Sequence, residues 1–188
     1  ATRERLVVVR MTMDMFRVAA LAPVRVEVRP VREGRRLALV DVHILQEGHL
    51  VGRGSGLLGL PSPQPAGHEA TADAWQNDGV TEIVVPTTAA RSGWVRHWSY
   101  SALVTGDVRV GGRIRELLSL VEGEDLTPLV RVGLASDSSN GLSNRDSGVL
   151  PFINFENTVH LSREPVGEDM LLRVTERVTR GGIAVSSG

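Results

Sequence analysis

Along most of the chain, apolar and polar residues alternate with the period of a strand that has one face covered. Residues 6–10 form an apolar run, after which Met11, Met13 and Met15 alternate with Thr12, Asp14 and Phe16. Val24, Val26 and Val28 alternate with Arg25, Glu27 and Arg29. Residues 37–45 are nearly continuously apolar, interrupted only by Asp41 and His43, which predicts a strand covered on both faces. Glu47-Gly48 ahead of Leu50-Val51 predicts a hairpin turn. The glycine-rich residues 52–60, carrying Leu57 and Leu58, predict a strand with a bulge or a close backbone approach.

The pattern then changes. Pro61, Pro63 and Pro65 open a polar stretch to about Asp78 that reads as a linker. Strand signals resume over 94–104, where Trp94, Trp98 and Tyr100 interleave with Arg96, His97 and Ser99, and again over 114–121. Gly106, Gly111 and Gly112 between them predict a turn. Thr127-Pro128 is an N-cap followed by a first-turn proline. It opens a helix near 128–140 with Leu129, Val130, Val132 and Leu134 inward, Arg131 outward and Gly141 as its stop. Strands are predicted again over 155–163, over 170–179 and from 183 onward.

The chain also repeats itself at an offset of roughly 146 residues, with Met11–Arg17 lying over Asn157–Arg163. Residues 24–28 lie over 170–174, and 37–39 over 183–185. Each copy reads strand, Arg, short Pro-containing loop, strand, Gly-containing turn, strand. The helix near 128–140 precedes the second copy, and the first copy has no room for its counterpart after Ala1.

Composition narrows the chemistry. The 188 residues are 41% hydrophobic, enough to bury a core, and their net charge is −1, which argues against a dedicated nucleic-acid binder. There is no Cys, excluding disulfides, thiolate zinc sites and cysteine nucleophiles, and no Lys, excluding Schiff-base chemistry and a phosphate-loop lysine. Nowhere do 18 apolar residues run together, and the charged start has no signal-type apolar region, so no membrane span is expected and the expected setting is cytoplasmic. His43, His49, His68, His97 and His160 lack metal-ligand spacing, so no metal is expected. Ser55 in Gly54-Ser55-Gly56 resembles part of a nucleophile elbow, but Arg53 and Leu57 stand where its glycines belong. The group Arg25, Arg29, Arg32, Arg35 and Arg36 fits either a phosphate contact or a solvated sheet face.

Three runs carry a resemblance: 134–141 (LASDSSNG), 152–163 (FINFENTVHLSR) and 167–172 (GEDMLL). Together with Leu21-Ala22-Pro23, Arg29-Pro30, Gly34-Arg35 and Gln46-Glu47-Gly48, they resemble acyl-CoA thioesterase II and its actinobacterial thioesterase-like relatives. The resemblance covers nearly all of the chain outside the stretch near 61–90. It implies an α+β double hotdog, in which a curved antiparallel sheet wraps a central helix in each unit. The expected division is an incomplete first unit at 1–60, a linker at 61–90 and a second unit at 91–188, with the first helix and last strands lacking.

The resemblance also implies an acyl-CoA substrate, no cofactor, and chemistry in which a carboxylate, a hydroxyl and a Gln hold the attacking water. Counting seven residues back from Arg163 puts Glu156 where the family has Asp, one methylene longer. Thr179 is the nearest match for the hydroxyl, and the Gln position falls beyond Gly188. Asn140 is a further catalytic candidate, and Asp137, Ser138 and Asn157 are candidate substrate contacts. Asp137 and Asn140 have a second reading as caps that close the helix. Two functions of different class follow: hydrolysis of a fatty acyl-CoA thioester, or a hotdog module that binds acyl-CoA without turning it over. An enoyl-CoA hydratase is disfavoured, because 137–144 contains no His. Open apolar strand faces in an incomplete unit predict either a homo-oligomer or further segments that cover the first unit.

Overall fold

A computed structural model describes residues 5–63, 79–85, 99–106, 108–115, 117–119, 121, 123–143 and 152–188. Among these are eleven strands and one helix. The strands are β1 (Val7–Met15), β2 (Arg25–Glu33), β3 (Leu37–Gln46), β4 (His49–Gly59), β5 (Thr81–Val85), β6 (Ser99–Thr105), β7 (Val108–Arg115), β8 (Glu156–His160), β9 (Met170–Arg173), β10 (Glu176–Arg180) and β11 (Ile183–Ser187). The helix α1 is Pro128–Ser143. The chain forms two compact units, Ala1–Ala72 with Asn154–Glu164, and Asp73–Ile153 with Pro165–Gly188. No helix among the described residues is long and apolar enough to cross a membrane.

The first unit is a five-stranded antiparallel sheet in the order β2-β3-β4-β1-β8. Its β3–β4 hairpin closes through Glu47 and Gly48, whose φ angles of 50° and 78° are both positive, between the paired Gln46 and His49. A two-residue turn of that hand matches the twist of its strands, as the sequence predicts. The close approach predicted for β4 is also present, since a Cβ on Gly54 would lie 2.9 Å from the Thr12 carbonyl. On one face, Met11 and Met13 of β1 lie with Val40 and Val42 of β3, Gly54 and Gly56 of β4, and Val28 of β2. The opposite face is polar. β3, predicted as covered on both faces, is only half-buried from Ala38 to Gln46. Its Asp41 and His43 side belongs to the polar face.

β8 joins this sheet by pairing with β1, although the sequence groups it with the second copy. Its register brings Thr158 opposite Thr12, the residue it overlies in the repeat. These two strands are therefore related by a local two-fold at that pair of threonines.

The second unit contains the sheet β5-β6-β7-β9 and the separate hairpin β10–β11. α1 packs on β7 and β9, where Ile114, Leu117 and Ala135 form a core flanked by Leu126, Leu134, Met170 and Leu172. Val130 N donates to Thr127 Oγ1 at 3.3 Å, the N-cap the sequence predicts. Other expectations need correction. The helix runs past Gly141 to Ser143, and its buried residues are Val132, Ala135, Leu142 and Ser143, whereas Val130 is 42% exposed. Positions 132, 135 and 142 share one stripe at helical spacing, and Ser143 Oγ, donating to Ser139 O at 2.8 Å and lying 2.9 Å from Ser186 Oγ, secures the last turn.

The strand expected over 114–121 instead ends at Arg115, and only Gly106 (φ 57°) turns the chain. Gly111 and Gly112, predicted as turn residues, lie inside β7, and a Cβ on Gly111 would meet the Leu172 carbonyl at 2.5 Å. β5 lies within the stretch 61–90 that the sequence assigns to a linker. The predicted strand residues 94–98, and 64–78 and 86–90 of the predicted linker, fall outside the described residues.

Candidate active site

Glu156 opens β8, is solvent-exposed, and pairs with Asp14 of β1. The flanking backbone bonds, Met15 N to Phe155 O and Leu161 N to Val9 O, both 2.9 Å, make the odd-numbered β1 positions the hydrogen-bonded pairs. Asp14–Glu156 and Thr12–Thr158 are therefore the narrow pairs, in which Cα atoms approach to about 4.5 Å and side chains lie closest. Thr158, two residues on and on the same face, donates its hydroxyl to Glu156 Oε1.

Following the pairings across the sheet gives two rows. The first runs Glu156, Asp14, Arg53, His43, Glu27; the second runs Thr158, Thr12, Ser55, Asp41, Arg29. Thr12 Oγ1 and Ser55 Oγ are 2.9 Å apart. Arg53 Nη2 donates to Asp41 Oδ2 at 2.9 Å, and this bond, with the charges of Asp41 and then Asp14, holds the guanidinium proton above its ordinary affinity. Glu27 is held below the usual carboxylate range, first by its hydrogen bond from Arg29 and then by the nearby Arg25 and Arg29 charges. Most of the face is thus charge-compensated; Asp14 and Glu156 are the like-charged neighbours on it. Sequence reading missed Asp14, Arg53 and Thr158. Strand alternation placed them on one side, but only pairing places them together.

The other candidates lie elsewhere. Asn157 is half-buried on the opposite face of β8, paired with Met13. Thr179 is exposed on β10, paired with Ala184. Asp137, exposed, and Ser138 and Asn140, half-buried, lie on α1. Because α1 continues to Ser143, Asp137 and Asn140 stand inside its last two turns, and the capping reading is overturned. Glu156 and Asn157 belong to the first unit, and the other four to the second. Arg25 and Arg29 both contact Glu27 at 2.6 Å, which favours the solvated-face reading of that arginine group. Ser55 lies in strand β4, not in a nucleophile elbow. A cavity of about 430 Å³, lined by Pro23, Val24, Arg25, Leu45, Glu47 and Gly48, contains none of the proposed site residues. Among the described residues, no three His, Asp or Glu side chains gather as a metal-ligand group.

Comparison with known proteins gives this arrangement a context. Residues 63–188 match the acyl-CoA thioesterase C-terminal domain, and residues 1–59 match the acyl-CoA thioesterase N-terminal domain. The chain belongs to the acyl-CoA thioesterase family, and so to the thioester hydrolases. A candidate thioesterase II from Thermobifida fusca shares the fold with a TM-score of 0.68 at 17% identity, over 93% of this chain and 69% of its own. A candidate thioesterase from Novosphingobium aromaticivorans does so with a TM-score of 0.67 at 16% identity, over 92% and 69%. No curated protein matches the chain in sequence.

Proposed function

We propose that the protein hydrolyses fatty acyl-CoA thioesters to the free acid and coenzyme A, using a water activated by Glu156. The observation that carries this reading is the carboxylate seven residues before Arg163, at the family's Asp position, in a chain matched by both thioesterase domains. Glu156 takes a proton from the water as its oxygen attacks the thioester carbonyl carbon. The tetrahedral intermediate then collapses, the C–S bond breaks, and the departing thiolate takes up a proton. By the family resemblance, the Thr179 hydroxyl and the Asn140 amide are the candidate groups for the water and the oxyanion. Asp137, Ser138 and Asn157 are the candidate substrate contacts that the resemblance implies, Asn157 on the face of β8 opposite Glu156.

We further propose the double-hotdog arrangement and a homo-oligomeric state. The local two-fold at Thr12–Thr158 supports the first. The second is supported by the exposed apolar side of β2, where Val26 and Val28 are 56% and 61% exposed.

The test is thiol release from a series of acyl-CoA chain lengths by the parent and by Glu156→Gln. The amide keeps shape and hydrogen bonding but removes the base, so kcat should fall by about 10²–10⁴-fold with KM little changed. A variant as fast as the parent would remove Glu156 from the mechanism.

A further inference from the structure

Resting on the reading of Glu156 as the base, we propose that Thr158 is its positioning residue, the group that aims the carboxylate at the attacking water. A glutamate at the family's aspartate position brings one extra rotatable bond, and an untethered carboxylate at an exposed strand end samples many directions. Three features of the sheet restrain it. Thr158 lies two residues on, on the same face of β8, and its hydroxyl donates to Glu156 Oε1. A threonine hydroxyl has one proton, so this bond commits it and leaves Oε2 to face the water. Thr158 is β-branched and stiff about χ1, and it stands opposite Thr12, whose hydroxyl is bonded to Ser55 at 2.9 Å.

Asp14 supplies the push that matches this pull. It faces Glu156 in a narrow cross-strand pair, where like charges repel, and its neutralising neighbour Arg53 is shared with Asp41. Repulsion turns the Glu156 carboxylate away from β1, and the Thr158 hydroxyl catches it along the strand. Thr158 touches neither water nor substrate in this arrangement; it acts through Glu156.

The experiment compares full-length parent, Thr158→Val, Thr158→Ser and Glu156→Gln in one acyl-CoA thiol-release assay, with circular dichroism and thermal melting on each. Valine keeps the shape and strand preference but removes the donor, so kcat should fall about 10-fold, on the scale of a lost hydrogen bond to a charged group. KM should stay within about twofold, because the substrate is not touched, and serine should restore most of kcat. Parental kcat in Thr158→Val, an equal loss in Thr158→Ser, or a change carried by KM would each overturn the positioning role. The Glu156→Gln arm separates the two failures. If it falls while Thr158→Val does not, only the role of Thr158 is lost; if it keeps the parental rate, the base assignment fails and this inference falls with it.

Discussion

At Glu82 on β5, both carboxylate oxygens meet arginines from β7, two strands away in the same sheet. Arg115 Nη1 lies 2.5 Å from Oε1, and Arg113 Nε lies 3.3 Å from Oε2. Asp169 closes the group at 3.2 Å from Arg113 Nη1 and 3.3 Å from Arg115 Nε. The hydrogen bond from Arg115, then that from Ser101, holds Glu82 below the ordinary value of 4.5. A carboxylate depressed by folding contributes stability above its unfolded pKa, and that stability is lost as pH falls through the lower folded value. Thermal melting from pH 7 downward should therefore show the parent losing Tm more steeply below pH 4.5 than Glu82→Gln, which starts lower at neutral pH and has no such proton to take up. Parallel profiles for the two proteins would show that no stability is linked to the protonation of Glu82. None of this was visible in the sequence, where Glu82 is one of four acids in the stretch 61–90 read as linker.

Among the elements, glycine positions separate what is local from what is not. Gly141 read as a helix stop, yet it sits inside α1, exposed, with nothing within 4 Å of where a Cβ would go. Gly141→Ala should thus stabilise the protein by about 0.5–1 kcal/mol, the difference between these residues in a helix interior. Gly111 read as a turn, yet it lies in β7 hard against β9, where a Cβ would be 2.5 Å from the Leu172 carbonyl. Gly111→Ala should destabilise by about 1–3 kcal/mol, as overpacking does. Urea denaturation of the two variants checks both signs. The hairpin at Glu47-Gly48 and the N-cap at Thr127 were legible, because each depends on residues within a few positions. The roles of Gly111 and Gly141 depend on what faces them.

At the scale of the molecule, the repeat gives an internal control. Leu172 overlies Val26 in the repeat, and both lie on apolar faces of their sheets. Leu172 packs against the core under α1, whereas Val26 is 56% exposed. Leu172→Ala should cost about 1–3 kcal/mol, as truncating a half-buried leucine packed on a core does, while Val26→Ala in dilute solution should change stability by less than about 1 kcal/mol. If a second copy covers the β2 face as proposed, Val26→Glu should shift sedimentation toward the single chain without lowering its Tm by a comparable amount. A parent already sedimenting as one chain would remove the oligomer from the reading.

The sequence by itself determined the strands of the first unit, the turn at Glu47-Gly48, the start of α1, the ordered repeat and the family. These depend on alternation, capping and backbone freedom, all local in the chain, or on the order of short runs along it. It also singled out Glu156, by its distance from Arg163. The tertiary structure alone decided that β8 pairs with β1 rather than with the strands that follow it. That single pairing brings Asp14 beside Glu156 and sets Thr158 on Thr12. Strand register is chosen by backbone hydrogen bonds and buried faces across some 140 residues of chain, and no pattern within either strand records which partner it will meet.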